Sequence, residues 1–403
     1  MNAGYYISND QKILLDPNLE KLDLSIDQSN SLTAIKCPIN LKKLFLVGTQ
    51  STQFEEIDIE FNENLKILKI NNFAIKSLII DEKLEELEEL DCSDNKISIL
   101  KLNKNLRILN CSYNNLTKLE LNENLEELYA SMNRLTIIEL NTNLKKLDIS
   151  NNRLKKIIFN TQLEHLDISA NNLKDLELSK NLRTLNVCAN KLKNLVLNEK
   201  LEKLNASDNH LTTITLNKNI KALDVKCNNI KQIVLNAKLA DLDISDNYLN
   251  TISPNANLKR LNASCNKLKT ITLNKKMVIC DIRRNKIDAI QLNYNLKKLN
   301  ASYNILQTIT LNKTLENCDV SFNNLDRIQL NQNLKQLNIS DNQLLNITIN
   351  EKLLRLNIIR NFLKKITITK KLAKLKISNR KNSNIQFDNV VNNAEVEIEY
   401  LIG

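Results

Sequence analysis

Only three glycines, three prolines, two histidines and no tryptophan occur in this chain of 403 residues. Each shortage removes a class of function. A phosphate-cradling loop needs several glycines to bring backbone N–H groups onto the ligand, and Gly4, Gly48 and Gly403 are too few. His165 and His210 stand far apart, and neither a nucleophile elbow nor a metal-ligand spacing accompanies them, so catalysis has little support and no cofactor is implied. The eight cysteines form no CxxC and no Cys/His cluster, which argues against zinc. No run approaches the ~18 apolar residues that a membrane-crossing helix needs. The opening MNAGYYISNDQKILLDPN lacks the charged-then-apolar order of a secretory leader. Scarce Gly, Pro and Trp beside abundant Asn, Lys and Ile is the bias of an AT-rich genome, whether protist, low-GC bacterium or large DNA virus.

What is abundant is order. Asparagine recurs every 19 residues without a miss, from Asn95, Asn114 and Asn133 through to Asn342 and Asn361. A chain folding around one central core has no reason to keep such spacing. A solenoid does, because each repeat is one coil and identical positions stack. With Leu87 as position one, Leu also fills position four, with Cys280 and Cys318 as substitutes. Positions eleven and fourteen are Leu or Ile in every regular copy. Each coil thus holds two short segments, LxxLxA and LxxIxL, that read as strands with inward apolar residues.

The recurrent Asn at position nine lies between these segments, where the chain turns. Its amide both donates and accepts, so one buried Asn can satisfy backbone groups the turn leaves unpaired, and stacked amides can bond to one another. Losing one is expected to cost about 1–3 kcal/mol. A second column at position seventeen (Asn103, Asn122, Asn141 and successors, broken only by Ser179 and Thr369) serves the other turn. With glycine nearly absent, the column Asn is also expected to supply any positive φ that the turns demand.

LxxLxAxxNxL resembles the conserved segment of leucine-rich repeats, strictly over 87–371 and loosely over 17–86. The period is slightly shorter than the family's usual ~20–29 residues, and the second half nearly copies the first, as in the short, nested-period subclass. The resemblance implies a mainly β, right-handed leucine-rich-repeat solenoid with short strands on both sides of each coil, little or no helix and weak curvature. At about 4.8 Å per coil, the expected rod is roughly 90 Å long. The expected organisation is an N-terminal cap over 1–16, irregular repeats over 17–86, fifteen regular repeats over 87–371, and a C-terminal cap with acidic tail over 372–403. AEVEIEY at 394–400 reads as an alternating acidic strand able to cap the last open edge.

The cysteines favour a reducing cytoplasm. Cys92 and Cys111 occupy an inward position, Cys280 and Cys318 replace inward Leu, and all four behave as small hydrophobes. Cys280 and Cys318, two coils or about 10 Å apart, exceed the ~7 Å reach of a disulfide. Asn110, Asn205, Asn262, Asn300 and Asn338 begin Asn-x-Ser sequons inside expected strands, where glycans fit poorly.

Three surfaces are candidates for function. Position five is Asp or Asn in every regular copy except Tyr129. The favoured reading is an array in which Asp accepts from neighbouring Asn amides and Ser hydroxyls, over a carboxylate row for a metal or cationic partner, because stacked carboxylates rarely go unpaired. Position three varies freely, as a recognition face requires. Tyr129, Lys146, His165, Lys203, Asp241, Arg260 and Lys298 are the expected protein contacts, with the aromatic Tyr129 foremost. The third surface is basic: 351–381 holds eleven Lys or Arg against Glu351 alone, most of the net charge of +11. Lys364, Lys365, Lys370, Lys371 and Lys374 there form an alternative anion site for nucleic acid, an acidic protein or an anionic membrane. A terminal cap is the preferred reading, since few aromatics accompany the charges. Taken together, the residues and the resemblance imply a non-enzymatic, monomeric, cytoplasmic scaffold that binds a protein along its open β-face.

Overall fold

A computed structural model describes residues 4–26, 32–49, 58–158, 162–367, 372–379 and 395–400. The chain divides into two compact units, Met1–Leu201 and Glu202–Gly403. Both are parallel-strand β-solenoids, and the described residues contain no helix.

The first unit opens with a hairpin, Tyr5–Ser8 against Gln11–Leu14. Asn9 (φ 50°) and Asp10 (φ 60°) make its two-residue turn, both in the left-handed region as a type I′ turn requires. Tyr5–Ser8 also pairs antiparallel with Leu32–Lys36, which pairs parallel with Asp58–Glu60. Gly4 is needed here, because a Cβ would run into the Lys36 carbonyl and Pro38. The solenoid sheet begins beside this layer. Lys21 pairs with Lys43, Lys43 with Ile67 and Ile67 with Glu89, longer steps than the nineteen residues that follow. From Glu89–Asp91 to Thr184–Asn186 the ladder is strictly in register, Ile108 facing Glu127 and Lys146 facing His165. A constant period sets like against like, so the apolar positions of successive coils form one core. Leu109, Leu128 and Leu135 are fully buried in it.

The second unit repeats this arrangement from Lys203–Asn205 to Arg355–Asn357. There Lys374–Asn379 and then Glu395–Tyr400 extend the sheet in parallel, with Glu395 opposite Lys374 and Glu397 opposite Lys376. The acidic segment thus pairs with the strand before it.

Two expectations need correction. Within each unit the strand side of the coils carries a continuous ladder, but among the described residues the second side does so only in part. Among the described residues, full ladders join Leu32–Lys36 to Asp58–Glu60, Ser77–Ile79 to Ile99–Lys101 and Asn346–Thr348 to Lys365–Thr367, with single bridges at Glu139–Ile158, Thr272–Gln291 and Thr310–Gln329. Both segments have the same apolar spacing, so the difference lies in how backbone groups are routed. On the strand side the turn continues the ladder, Cys92 N–H donating to Asn110 O (2.8 Å) and Asp94 N–H to Ser112 O (3.0 Å). On the second side the coils are joined by lone backbone bonds such as Arg134 N–H to Leu116 O (2.9 Å). The side-chain amides of position seventeen supplement them: Asn122 Nδ2 donates to Asn103 O (2.8 Å) and Leu106 O (3.0 Å).

The second correction concerns the positive φ. In all fifteen regular coils it falls on position eight, one residue before the column Asn. Its occupants include Tyr113, Met132, Ala170, Cys227, Arg284 and Phe322, at φ between 51° and 56°. The Asn at position nine instead fastens the turn to its neighbour. Asn114 Nδ2 donates to Cys92 O (3.0 Å) in the preceding coil and to Cys111 O (3.1 Å) and Ser112 O (3.2 Å) in its own, while its Oδ1 accepts from Ile97 N–H (2.8 Å). The same bonds recur at Asn171 and Asn247. These amides bond to backbone, not to one another.

Candidate binding surface

Within each strand, position four points into the core and positions three and five point out. The outward residues of the first unit are largely tied to one another. Tyr129 is half-buried, its hydroxyl donating to Glu127 Oε2 (2.9 Å), and Lys146 Nζ meets Glu127 Oε1 at 2.7 Å. The Lys146 ammonium holds the Glu127 carboxyl below its usual range, and burial raises the Tyr129 hydroxyl. His165 Nδ1 lies 2.8 Å from Thr184 Oγ1. Glu126, at position two, is clamped between Arg107 (2.5 Å) and Lys145 (2.7 Å). Tyr129, Lys146 and His165 therefore sit together on a pre-ordered face, and the aromatic has its polar end already engaged.

Lys203, Asp241, Arg260 and Lys298 belong to the second unit. Arg260 donates to Asp241 Oδ2 at 2.8 Å, so those two form a pair across adjacent strands. Lys298 lies farther on, in a groove of ≈ 400 Å³ on the outward side of the sheet. Its outward residues lie in two rows, and the position-five row runs Asp281, Asn300, Asp319, Asn338, Asn357 and Lys376. The position-three row runs Ile279, Lys298, Asn317, Gln336, Arg355 and Lys374, so cations gather at the far end while Lys298 stands between the two aspartates. Two of its backing residues, Cys280 and Cys318, are the thiols that replace Leu. Burial raises both thiols far above their normal range and so keeps them neutral.

Position five behaves as hydrogen-bonded Asx residues. Asn186 Nδ2 donates to Asp167 Oδ2 (2.7 Å), Asn262 Nδ2 to Asp243 Oδ2 (2.8 Å) and Asn338 Nδ2 to Asp319 Oδ2 (3.0 Å). Ser169, Ser245 and Ser321 hydroxyls add further donors at 2.6–2.7 Å. The carboxylates are spoken for, and among the described residues no group of three His, Cys, Asp or Glu is placed to hold a metal ion. Asp224 and Asp281 are exceptions in charge balance, because burial raises both carboxyls.

Of the expected anion site, Lys364 is exposed, Lys365 lies in the strand Lys365–Thr367, and Lys374 lines the groove. Lys370 and Lys371 fall outside the described residues. In sequence the basic end and the β-face stand as separate surfaces; the groove joins them through Lys374 and Arg355. Two alternations with a period of two coils also run along the chain. One is Glu88, Arg107, Glu126, Lys145, Glu164 and Arg183 at position two. The other is Asn and Lys at position nineteen, where Lys238 Nζ donates to Asn219 (2.8 Å) and Lys276 Nζ to Asn257 (2.7 Å). Both were visible in the sequence to a search at twice the period.

No helix is long and apolar enough to cross a membrane among the described residues. The Leucine Rich Repeat family model matches residues 143–161. No curated protein matches the chain. Among solved structures, YopM from Yersinia enterocolitica is similar, with 25% identity, 94% of this chain and 91% of that one covered, and a TM-score of 0.83. The functional domain of InlJ from Listeria monocytogenes follows at 24% identity, 79% and 75% coverage and TM-score 0.63. YopM from Yersinia pestis, described as a leucine-rich effector protein, matches at 25% identity, 80% and 88% coverage and TM-score 0.59.

Proposed function

We propose, from the premise that this chain is a leucine-rich-repeat solenoid, that it is a non-enzymatic interaction scaffold whose partner is a protein segment laid along the β-face of the second unit. The observation that carries this reading is the groove from Asp281 to Lys376. Its outward rows set amides between charged residues from strand to strand, so an extended segment of complementary polarity meets a hydrogen-bonding or charged group at each step. Its frame is rigid before binding, which limits the entropy lost on association. The likeness to a Yersinia pestis protein described as a leucine-rich effector is in keeping with a repeat scaffold that works through a partner.

The working compartment in this reading is cytoplasmic and the chain a monomer. Eight free cysteines support a reducing setting. So do the sequon amides of Asn262 and Asn338, each engaged with a carboxylate where a glycan would attach. The alternative, an anion binder at 351–381, is less favoured, because few aromatics accompany its charges.

Site-specific photo-crosslinking distinguishes the faces. A photoreactive residue at Gln336, in the groove, is expected to capture the partner in cells. The same residue at Gln232, on the second side of its coil, is expected to capture none. Capture from Gln232 with none from Gln336 would remove the groove from the account.

A further inference from the structure

The second unit carries another surface, on the rim where strands turn. Position eight of three successive coils holds Arg284, Tyr303 and Phe322. Tyr303 and Phe322 rings stack with centroids 4.0 Å apart and planes inclined by 10°. The Arg284 guanidinium lies 5.3 Å from the Tyr303 centroid, from the coil on the other side. Ile305, two residues beyond Tyr303, is 48% exposed, and Tyr303 is 43% exposed. Lys267 and Lys286, both exposed, continue the rim, with Lys267 over the Tyr248 ring at 4.9 Å.

Tyr303 and Phe322 sit at φ 55° and 52°, a region that bulky side chains rarely enter and that glycine, Asn or Asp occupies at lower cost. The same position holds Asp208, Asp246 and Asp341 elsewhere in this unit. Other coils fill the position with Asp, Cys or Arg, so the fold does not require an aromatic there, and the stacked rings with the exposed Tyr303 and Ile305 leave an apolar surface beside cations. Charge then limits the partner. Arg283 is paired with Asp281 (3.7 Å) and Arg360 with Asp341 (3.4 Å), whereas Arg284, Lys267 and Lys286 have no carboxylate partner among the described residues. Both faces of Tyr303 are taken, by Arg284 and Phe322, so a base finds no open face on that ring, which disfavours nucleic acid as the occupant.

We infer that the rim formed by Lys267, Arg284, Lys286, Tyr303, Ile305 and Phe322 docks an acidic protein segment carrying aliphatic anchors, at a surface separate from the groove. Aromatic edges and Ile305 take the anchors, and the cations take the flanking carboxylates.

The test uses the purified full chain and a short fluorescein-labelled peptide rich in Glu and Asp with leucine anchors. The comparison probes are the same peptide with Ser for Leu, the same with Lys for its acids, and a labelled oligothymidylate. The acidic leucine peptide is expected to bind, more weakly at high salt, and more tightly than the other three probes. Tyr303→Asn with Phe322→Asn, and separately Arg284→Glu, are each expected to weaken it at least about tenfold, as loss of a hot-spot side chain does. The Asn pair leaves the fold intact, since Asn151 already occupies this position, and an unchanged or raised thermal midpoint verifies that. Lys298→Glu with Arg355→Glu in the groove is expected to leave the affinity as it was, which separates this surface from the proposed one. Undiminished peptide binding in the rim variants, binding of oligothymidylate alone, or binding of no probe overturns the inference.

Discussion

At the scale of single residues, the turn after each strand is where the chain holds its strain and its strongest fastenings. A non-glycine residue in left-handed backbone costs about 1–2 kcal/mol. Ala170, at φ 51°, has no side-chain polar group to offset this. Ala170→Gly is therefore expected to raise stability by up to about 1 kcal/mol, after allowance for glycine's greater entropy loss; denaturant titration measures it. One residue on, Asn171→Ala leaves the carbonyls of Ile149, Ile168 and Ser169 and the Leu154 N–H without their amide. The expected loss is about 1–3 kcal/mol, read in the same titration. The importance of position nine was legible because one residue type serves all four bonds. Position eight was not, because its backbone is imposed by neighbouring coils and its side chains are free to vary. No composition signal marks a site held by Asp, Tyr, Met, Ala, Cys and Arg in turn.

At the scale of the coil, charge pairing between adjacent strands sets the pH response. Asp224 faces Asp243 in register, and burial, then the Asp243 charge, raises the Asp224 carboxyl. A carboxyl raised in the folded state binds its proton more readily folded than unfolded, so stability falls as pH climbs from the unfolded value of 3.8 through the folded one. Asp224→Asn keeps the acceptor for Lys226 N–H and removes the repulsion. It is expected to stabilise by up to about 1 kcal/mol at neutral pH and to show no gain at acid pH, in melting curves across the range. Glu126 has the opposite sign. Lys145 and Arg107 lower its carboxyl, so its contribution is present above about 4.5 and is lost as pH falls through the folded value. These pairs are partly exposed, and Glu126→Gln is expected to cost no more than about 1 kcal/mol at neutral pH and less at high salt. The ladder on the strand side was legible from LxxLxA; its absence from much of the second side was not, since LxxIxL has the same spacing. What differs is where the backbone N–H groups go, and a pattern of side chains does not carry that.

At the scale of the molecule, one period separates frame from surface. Positions one, four, six, nine, eleven and fourteen repeat because each stacks on its own copy, so the frame was readable from sequence almost entire. Positions three, eight and ten vary because nothing in the frame constrains them, and there the sequence named only part of the groove. Lys298 and Lys374, named from sequence on two separate surfaces, line one groove; Asn317 and Gln336 beside them carry no sequence signal, because bringing them together takes the stacking itself. A repeat frame also predicts that a whole coil is dispensable. Deleting residues 106–124 keeps every like-with-like contact and is expected to leave a cooperative, folded chain by circular dichroism and melting. Deleting 106–115 breaks the register and is expected to unfold the neighbouring coils.

The central claim is that the frame carries stability while the outward residues of the groove carry recognition. Replacing Lys298, Asn317, Gln336 and Arg355 together by Ala tests it most directly, with the thermal midpoint and the proteins recovered from cells both measured against the unaltered chain. The account predicts a midpoint within the small range expected for exposed substitutions, about 0.5 kcal/mol per site, together with loss of the recovered partner. A large fall in the midpoint, or full partner recovery by the substituted chain, would contradict it.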